Sequence, residues 1–200
     1  REEYIKAKAA VFDKVHAVMG GRLRCFASGG AAILPELHKP FLGMGLFVAN
    51  GYGLTETLCG VGVGRGNNVK VSWNAPVAPG IEWRQDDDGE LLLKGAGIIT
   101  EYYNDPESNQ TCFTEDGFFR TGDIVEFDEN GIFHVVDRKK AIIVMDTGKN
   151  VAPAKAEALL MRNILIDQVL IVGDGKKYIT ALICPNWDEM AKIADAKGIP

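Results

Sequence analysis

The spacing of apolar residues near the start of the chain predicts a helix followed by two strands. Residues 1–19 carry apolar side chains at helical intervals, and the glycine pair at 20–21 ends the pattern. Residues 22–27 alternate as a strand does, residues 35–42 predict a short helix that begins at a proline, and residues 46–48 are a compact apolar run typical of a buried strand. A strand, a helix and a strand in this order predict a parallel pair, and ligands of open α/β sheets bind where such strands end.

After residue 69 the pattern changes to short strands separated by turn residues. Three aspartates and a glycine at 86–89, and the run Glu-Asn-Gly at 129–131, each stand between two apolar runs. Such turns join neighbouring antiparallel strands. Residues 69–133 therefore predict an antiparallel β subdomain.

The end of the chain predicts a small α+β domain. Its expected elements are, in order, a strand at 141–144, a helix from Pro153, strands at 169–172 and 178–184, and a final helix from about Asp188. The expected fold class is thus α/β, with two domains at residues 1–137 and 138–200.

Composition and charge restrict the class of protein. With 200 residues, of which 46% are hydrophobic and 24% charged, the chain has an ordinary globular composition. A net charge of -5 without any Lys/Arg run argues against nucleic acid as a partner. The apolar stretches are too short for a membrane span, and the N-terminal segment lacks an apolar signal core, so we expect a cytoplasmic protein. Wide separation predicts reduced core thiols for the four cysteines, which are Cys25, Cys59, Cys112 and Cys184.

The candidate chemistry centres on the run Gly51-Tyr52-Gly53-Leu54-Thr55-Glu56-Thr57. The two glycines permit a tight turn and allow the phenol ring of Tyr52 to stack on a flat heteroaromatic base. Thr55 can donate a hydrogen bond to a phosphate oxygen, and Glu56 can hold a magnesium ion, which prefers oxygen ligands. The alternative interpretation is a loop with a half-buried tyrosine and a helix N-cap at Thr55, because short motifs also match by chance.

Three further candidates have ordinary structural explanations beside the functional ones. The small-residue run at 28–32, Ser-Gly-Gly-Ala-Ala, follows a predicted strand and can line a pocket wall or simply make a turn. The run at 121–123, Thr-Gly-Asp, is expected to end a strand in a turn. There the Asp123 carboxylate can accept both hydroxyls of a ribose, or can serve only as a turn cap. Arg138 offers donors to ribose or phosphate oxygens, although a surface ion pair is its commoner role.

In this order the motifs resemble the acyl- and aryl-adenylate-forming (AMP-binding) superfamily, and most of all its long-chain fatty-acid CoA ligases. The resemblance covers nearly the whole chain. The matching runs are Ser28 to Ala32, Gly51 to Thr57, Gly89-Glu90-Leu91, Tyr102 to Glu107, Gly117 to Asp123, and Asp137-Arg138-Lys139-Lys140 followed by Val151-Ala152-Pro153. It implies that residues 1–137 are the C-terminal part of a large adenylate-forming domain, with a parallel sheet layer and an antiparallel β subdomain. Residues 138–200 would be a small, mobile and incomplete C-terminal domain.

The resemblance also implies which residues bind the nucleotide. Tyr52 would stack on adenine, Thr55 would contact phosphate, and Asp123 would bind the ribose hydroxyls with the help of Arg138. The residues that would border the adenine and acyl pockets are Ser28, Gly29, Gly30 and Ala31, with Gly51 and Gly53 on either side of the tyrosine.

Catalysis and domain motion are assigned by the same resemblance. Glu56 would hold Mg²⁺, and Thr55 and Glu56 are the catalytic candidates. Lys140 matches the hinge about which the small domain rotates between adenylation and thioester formation. ATP, AMP, Mg²⁺ and coenzyme A are thereby implied as cofactors or co-substrates.

Enzymes of this family also carry an upstream Ser/Thr/Gly-rich loop that ends in lysine, and a lysine near the C-terminus that is essential for adenylation. This sequence shows neither, so we expect a fragment of a longer protein that is inactive on its own. The expected parent is an ATP-dependent acyl-CoA ligase whose small-molecule substrates are a fatty acid, ATP and coenzyme A. The alternatives are another carboxylate-activating enzyme, such as an aryl-CoA ligase or a peptide-synthetase adenylation domain, and a nucleotide-binding pseudoenzyme. Two further hypotheses are peripheral association of the parent with the inner face of the membrane, and self-association of the fragment through exposed strand edges.

Overall fold

The computed structural model describes residues 2–7, 11–64 and 69–198. The chain forms two compact units, and the boundary between them falls between Val135 and Val136. The domain boundary that the sequence predicts after residue 137 stays a prediction.

The first unit contains the helices and strands up to the start of the seventh strand. Its helices are α1 (Glu2–Ala7), α2 (Asp13–Val18), α3 (Pro35–Gly43) and α4 (Pro106–Thr111). Its strands are β1 (Cys25–Ser28), β2 (Phe47–Tyr52), β3 (Gly62–Val63), β4 (Ile81–Gln85), β5 (Glu90–Gly95), β6 (Phe119–Phe127) and β7 (Phe133–Arg138), the last of which crosses the boundary.

The predicted N-terminal helix is found as α1 and α2, and the remainder of that prediction, residues 1 and 8–10, lies outside the described residues. The predicted stop at residues 20–21 is confirmed. There the N–H of Gly20 donates to the carbonyl of Ala17 at 3.0 Å, which closes the last turn of the helix.

The predicted parallel pair is confirmed as β1 and β2, which run side by side from Cys25 opposite Phe47 to Ser28 opposite Asn50. The helix α3 connects them, and β3 pairs antiparallel with the end of β2. The strand β2 is longer than the predicted run at 46–48 because it continues to Tyr52. The first residues of the candidate loop therefore belong to a strand, which fixes their backbone.

The predicted antiparallel subdomain is confirmed as a four-stranded sheet in the order β4-β5-β6-β7. Its predicted turns close as expected. The N–H of Gly89 donates to the carbonyl of Asp86 at 2.9 Å, and the N–H of Gly131 donates to the carbonyl of Asp128 at 3.0 Å. The buried core of this unit is formed by Tyr52, Val61, Leu91, Leu93, Ile98, Phe119, Val125 and Phe133. Tyr52 thus ties the parallel layer to the antiparallel sheet.

One local prediction in this sheet is wrong. The run at 121–123 does not end a strand in a turn, because it lies within β6, which continues to Phe127. The glycine in this run does mark a departure from regular backbone, since Gly122 has a φ of +71°. A β-bulge produces the same local signal as a turn, and only the partner strand distinguishes the two.

The second unit has the small α+β composition that its sequence predicts. Its elements are β8 (Ile143–Val144), β9 (Asn150–Val151), α5 (Pro153–Leu160), β10 (Ile166–Val172), β11 (Thr180–Pro185) and α6 (Trp187–Lys197). Two antiparallel pairs are present, β8 with β9 and β10 with β11, and α5 packs against β10. The helices begin where predicted, because Pro153 occupies the first turn of α5 and the Asn186 side chain caps α6 by accepting from the N–H of Glu189 at 3.2 Å.

The exposure of the cysteines differs from the prediction of core thiols. Cys25, Cys59 and Cys184 are exposed, and Cys112 is half-buried. A small polarizable side chain gives no sequence signal of which face it occupies. Among the described residues, none of the helices combines the length and the apolar character that a bilayer crossing requires.

The environment of His134 in β7 predicts a pH dependence of stability. Burial lowers the pKa of this imidazole below its usual 6.5, with Glu126 opposing the shift and Lys70 adding to it. Because the folded pKa is the lower one, the unfolded chain binds more protons in the window between the two values. We expect the first unit to be fully stabilised above about pH 6.5 and to lose stability as pH falls through that window.

Denaturant unfolding at several pH values checks this expectation. The His134→Gln variant removes the titrating ring, so its stability should change less between pH 7.5 and pH 5 than that of the wild type. An equal pH dependence in both proteins would mean that carboxylates elsewhere, and not His134, cause the loss of stability in acid.

Candidate functional site

The candidate loop leaves the sheet at the end of β2. A single 3-10 turn at Thr55–Thr57 follows the strand. The Thr57 hydroxyl accepts a hydrogen bond from the N–H of Leu54 at 2.8 Å and donates to the carbonyl of the same residue at 3.0 Å. Thr57 therefore closes the turn, and the alternative of an N-cap at Thr55 is wrong. Thr55 is exposed, so its hydroxyl can contact a ligand.

Tyr52 and Asp123 meet, although 71 positions separate them in the sequence. The Tyr52 hydroxyl donates a hydrogen bond of 2.6 Å to Oδ2 of Asp123. Both residues are buried, with exposures of 9% and 3%, and the tyrosine ring packs edge-on against Phe133 with 5.3 Å between ring centroids. A carboxylate has acceptor sites for several donors. The hydrogen bond therefore holds the tyrosine ring and the carboxylate side by side inside the first unit.

The bulge in β6 is what sets the position of Asp123. The pairing of β5 with β6 shifts register beside Gly122. The N–H of Gly122 donates to Oε1 of Glu90 at 2.8 Å, and the Thr121 hydroxyl donates to the carbonyl of Leu91 at 2.7 Å. These side-chain bonds satisfy the groups that the bulge removes from the regular ladder. Glu90 was missed as a contributor to the site, and its only sequence signal was its place in a matching family motif.

The charge of the buried Glu90 is balanced by Arg120. The Arg120 guanidinium lies 3.2 Å from Oε2 of Glu90 and 2.8 Å from Oδ2 of Asp86. Its hydrogen bond lowers the pKa of Asp86, and the backbone N–H of Asp87 acts in the same direction. Arg120 therefore holds the acidic turn at 86–90 in place. It also stabilises β5 at Glu90, the residue that bonds to the bulge.

Glu56 is held at two points by the segment that follows β5. Its carbonyl accepts a hydrogen bond from the N–H of Ile99 at 3.0 Å, and its Oε1 accepts one from the Tyr102 hydroxyl at 3.0 Å. Burial, reinforced by the bond to this carboxylate, raises the pKa of Tyr102 to about 12. The phenol therefore stays protonated at neutral pH and acts as the donor.

The loop that begins with Ser28 lies beside the candidate turn. The parallel register sets Ser28 opposite Asn50, and a Cβ added to Gly29 would lie 3.5 Å from the carbonyl oxygen of Gly51. Gly30 and Ala31 follow and are exposed. The carboxyl ends of β1 and β2 thus bring these two predicted parts of the site into contact.

Asn50 is a second residue that sequence reasoning missed. It is buried at 3% exposure, and its Nδ2 donates to the carbonyl of Trp73 at 3.3 Å. Its Oδ1 is buried and has no hydrogen-bond partner within the described ranges 2–7, 11–64 and 69–198. A buried acceptor without a partner is costly, so this atom is suited to a ligand's donor. Its position directly before Gly51 was the available signal.

Arg138 and Lys140 both belong to the second unit. Arg138 ends β7, and Lys140 lies in the 3-10 turn Lys139–Ala141; both are exposed. The buried Asp137 precedes them, and its Oδ1 accepts a hydrogen bond from the N–H of Arg138 at 2.7 Å. This bond fixes the backbone at the start of the turn.

The side chains of Thr55 and Glu56 suit a magnesium nucleotide. Mg²⁺ in proteins is usually held by one or two carboxylates together with phosphate oxygens. The half-buried Glu56 offers one such carboxylate and lies next to Thr55, a donor for phosphate. The residues present therefore fit the ion.

Comparison with known proteins agrees with this chemistry. The family of the AMP-binding enzyme C-terminal domain matches residues 140–199. Long-chain-fatty-acid–CoA ligase FadD15 of Mycobacterium bovis is 42% identical over 184 residues, which are 90% of this chain and 30% of the ligase. Long-chain-fatty-acid–CoA ligase 4 of Saccharomyces cerevisiae is 30% identical over 201 residues, covering 94% of this chain and 29% of that protein. The chain thus spans about a third of the length of the curated relatives that it matches.

Solved structures agree on the fold. The A-PCP didomain of carboxylic acid reductase from Segniliparus rugosus, in complex with AMP, has a TM-score of 0.69 and 28% identity, over 97% of this chain and 28% of that one. O-succinylbenzoate coenzyme A synthetase from Bacillus subtilis, in complex with ATP and magnesium ion, has a TM-score of 0.72 over 82% of this chain and 37% of its own, and at 24% identity it supports the fold alone. Relatives, family match and fold agree: residues 140–199 match the AMP-binding enzyme C-terminal domain, and the chain as a whole is similar to adenylate-forming enzymes, as its ordered motifs predict.

Proposed function

We propose that this chain is part of an ATP-dependent acyl-CoA ligase that activates a fatty acid as an acyl-adenylate and transfers it to coenzyme A. The observation that carries the proposal is the buried hydrogen bond between Tyr52 and Asp123, beside a half-buried Glu56. It supports a site with a ring, a hydroxyl-binding carboxylate and a metal-binding carboxylate. The choice of fatty acid as substrate is supported by the names of the Mycobacterium bovis and Saccharomyces cerevisiae relatives.

In the proposed nucleotide complex, each part of AMP meets a matching group. The adenine ring stacks on Tyr52, and its exocyclic amine donates to the buried Oδ1 of Asn50. The ribose hydroxyls donate to the Asp123 carboxylate. The glycine-rich segments at 28–31 and 51–53 allow the backbone to approach the base closely.

In the first half-reaction, a carboxylate oxygen of the fatty acid attacks the α-phosphorus of ATP. The bond from this phosphorus to the oxygen bridging the α- and β-phosphates breaks, and pyrophosphate leaves with the electron pair. Thr55 would donate to a phosphate oxygen, and Glu56 would hold Mg²⁺. When bound there, the ion would supply positive charge that offsets the charge of the phosphates. The contribution of the protein is mainly positioning.

In the second half-reaction, the thiol of coenzyme A attacks the acyl carbon and loses its proton, and the bond from this carbon to the AMP oxygen breaks. Arg138 is proposed to donate to the nucleotide, and Lys140 to act as the hinge of a domain rotation. A rotation of this kind lets one bound intermediate meet two sets of groups in turn.

Exchange of labelled pyrophosphate into ATP tests the proposal on the full-length protein. We expect exchange that depends on a fatty acid and on Mg²⁺, followed by acyl-CoA formation when coenzyme A is added. A protein lacking the Glu56 carboxylate, Glu56→Gln, is the matched control and should exchange far more slowly. Exchange with aryl or amino acids but not fatty acids would favour another carboxylate-activating enzyme, and nucleotide binding without exchange would favour a pseudoenzyme.

A further inference from the structure

The contact between Tyr102 and Glu56 joins two motifs that are 46 positions apart in the sequence. We propose that Tyr102 is a positioning residue that orients the Glu56 carboxylate for its metal ion, an inference that rests on the proposed function. The phenol would act through Glu56 and would not touch the substrates. This role assigns a purpose to the run at 102–106, Tyr-Tyr-Asn-Asp-Pro, which the nucleotide site itself leaves without one.

The hold on Glu56 comes from both ends of the residue. The Ile99 N–H fixes its carbonyl and the Tyr102 hydroxyl fixes its Oε1, each at 3.0 Å. Both donors belong to the same short segment, so this one segment holds both the backbone and the carboxylate of Glu56. A glutamate side chain has three rotatable bonds, and an anchor at its tip removes most of that freedom.

The position of Tyr102 is in turn strongly determined. The Asn109 side chain brackets its backbone, because Oδ1 accepts from the Tyr102 N–H at 2.7 Å and Nδ2 donates to the Tyr102 carbonyl at 2.9 Å. Asn109 lies in α4, which is capped by Asp105 through a bond of 3.1 Å from the Ser108 N–H. The Tyr102 ring also packs edge-on against Phe113, with 6.3 Å between centroids. Tyr102 is thus held through its backbone, its ring and its hydroxyl.

A carboxylate that is pinned at one oxygen presents the other in a narrow range of directions. Mg²⁺ requires nearly ideal octahedral geometry, so a ligand with a defined direction binds it better than a mobile one. Groups that hydrogen-bond to metal ligands in this way typically alter metal affinity by about 10–100-fold when they are removed. The neighbouring Tyr103 is 99% exposed, so it provides a matched control of the same chemical type.

The test compares wild type, Tyr102→Phe and Tyr103→Phe in the full-length protein. Mn²⁺ binding in the presence of a non-hydrolysable ATP analogue is measured by electron paramagnetic resonance, and AMP binding without metal is measured by calorimetry. We expect Tyr102→Phe to weaken Mn²⁺ binding by about tenfold or more and to leave metal-free AMP binding unchanged. Tyr103→Phe should match the wild type in both measurements.

A double-mutant cycle isolates the contact itself. In a Glu56→Gln background, Tyr102→Phe should produce no further loss of Mn²⁺ affinity, because the oriented carboxylate is already gone. Unchanged Mn²⁺ binding in Tyr102→Phe, or an equal loss of metal-free AMP binding, would overturn the positioning role while leaving the proposed function intact. A wild-type protein that binds AMP but no Mn²⁺ would also overturn it, and one that binds no nucleotide would overturn both.

Discussion

Replacing Asp123 with asparagine is expected to weaken AMP binding to the full-length protein by about 100-fold, which is close to 3 kcal/mol. The substitution keeps the size of the side chain but converts one acceptor oxygen into a donor, and it removes the charge. Hydrogen bonds to a charged acceptor are stronger than neutral ones, and a ribose hydroxyl facing an amide N–H loses its partner. Calorimetric titration with AMP in the absence of metal measures the effect directly.

The matched control for this prediction is Tyr52→Phe. That variant removes the hydroxyl that donates to Asp123 over 2.6 Å but keeps the ring and the carboxylate. Its loss of affinity should be less than about tenfold, because a single hydrogen bond contributes roughly 1 kcal/mol. If Asp123→Asn bound AMP as well as the wild type, the carboxylate would serve only to hold the tyrosine, and a ribose-binding role would be excluded.

Much of the local fold is predictable from the sequence because its causes are local. The turns at 86–89 and 129–131 contain residues that favour tight reversals, and they close within four residues of where they start. The glycine pair at 20–21 ends α2 for a similar reason, and prolines mark the starts of α3 and α5. Each of these elements is decided by its own few residues.

The site is less predictable because its geometry depends on distant partners. Nothing near Gly122 shows that β6 continues through it, since the bulge is stabilised by the Glu90 carboxylate on the neighbouring strand. The contact between Tyr52 and Asp123 likewise follows from the way two sheets pack. The family resemblance identifies the residues of the site, but only the structure shows the hydrogen bonds and packing that hold them in place.

Replacing Gly53 with alanine is expected to disrupt the candidate loop and to destabilise it by about 3 kcal/mol. A Cβ at this position would lie 2.5 Å from the carbonyl oxygen of Cys59 and 2.7 Å from the N–H nitrogen of Gly60. Both are backbone atoms of the return segment, so they cannot move aside as a flexible side chain can. The bond from the Val61 N–H to the Tyr52 carbonyl, 2.9 Å long, closes this loop and should open first.

Hydrogen exchange of peptides covering residues 52–61 measures the opening, and a change of about 3 kcal/mol corresponds to exchange faster by more than 100-fold. Gly43→Ala is the matched control, because no heavy atom lies within 4 Å of the added Cβ and the residue ends helix α3. That variant should leave exchange in the loop unchanged and slightly stabilise its own helix.

Since Gly53 lies between Tyr52 and the Thr55–Thr57 turn, we also expect Gly53→Ala to lower AMP affinity. A Gly53→Ala protein with native exchange in this loop would show that the return segment can shift, and that close packing of the glycine is not what shapes the site.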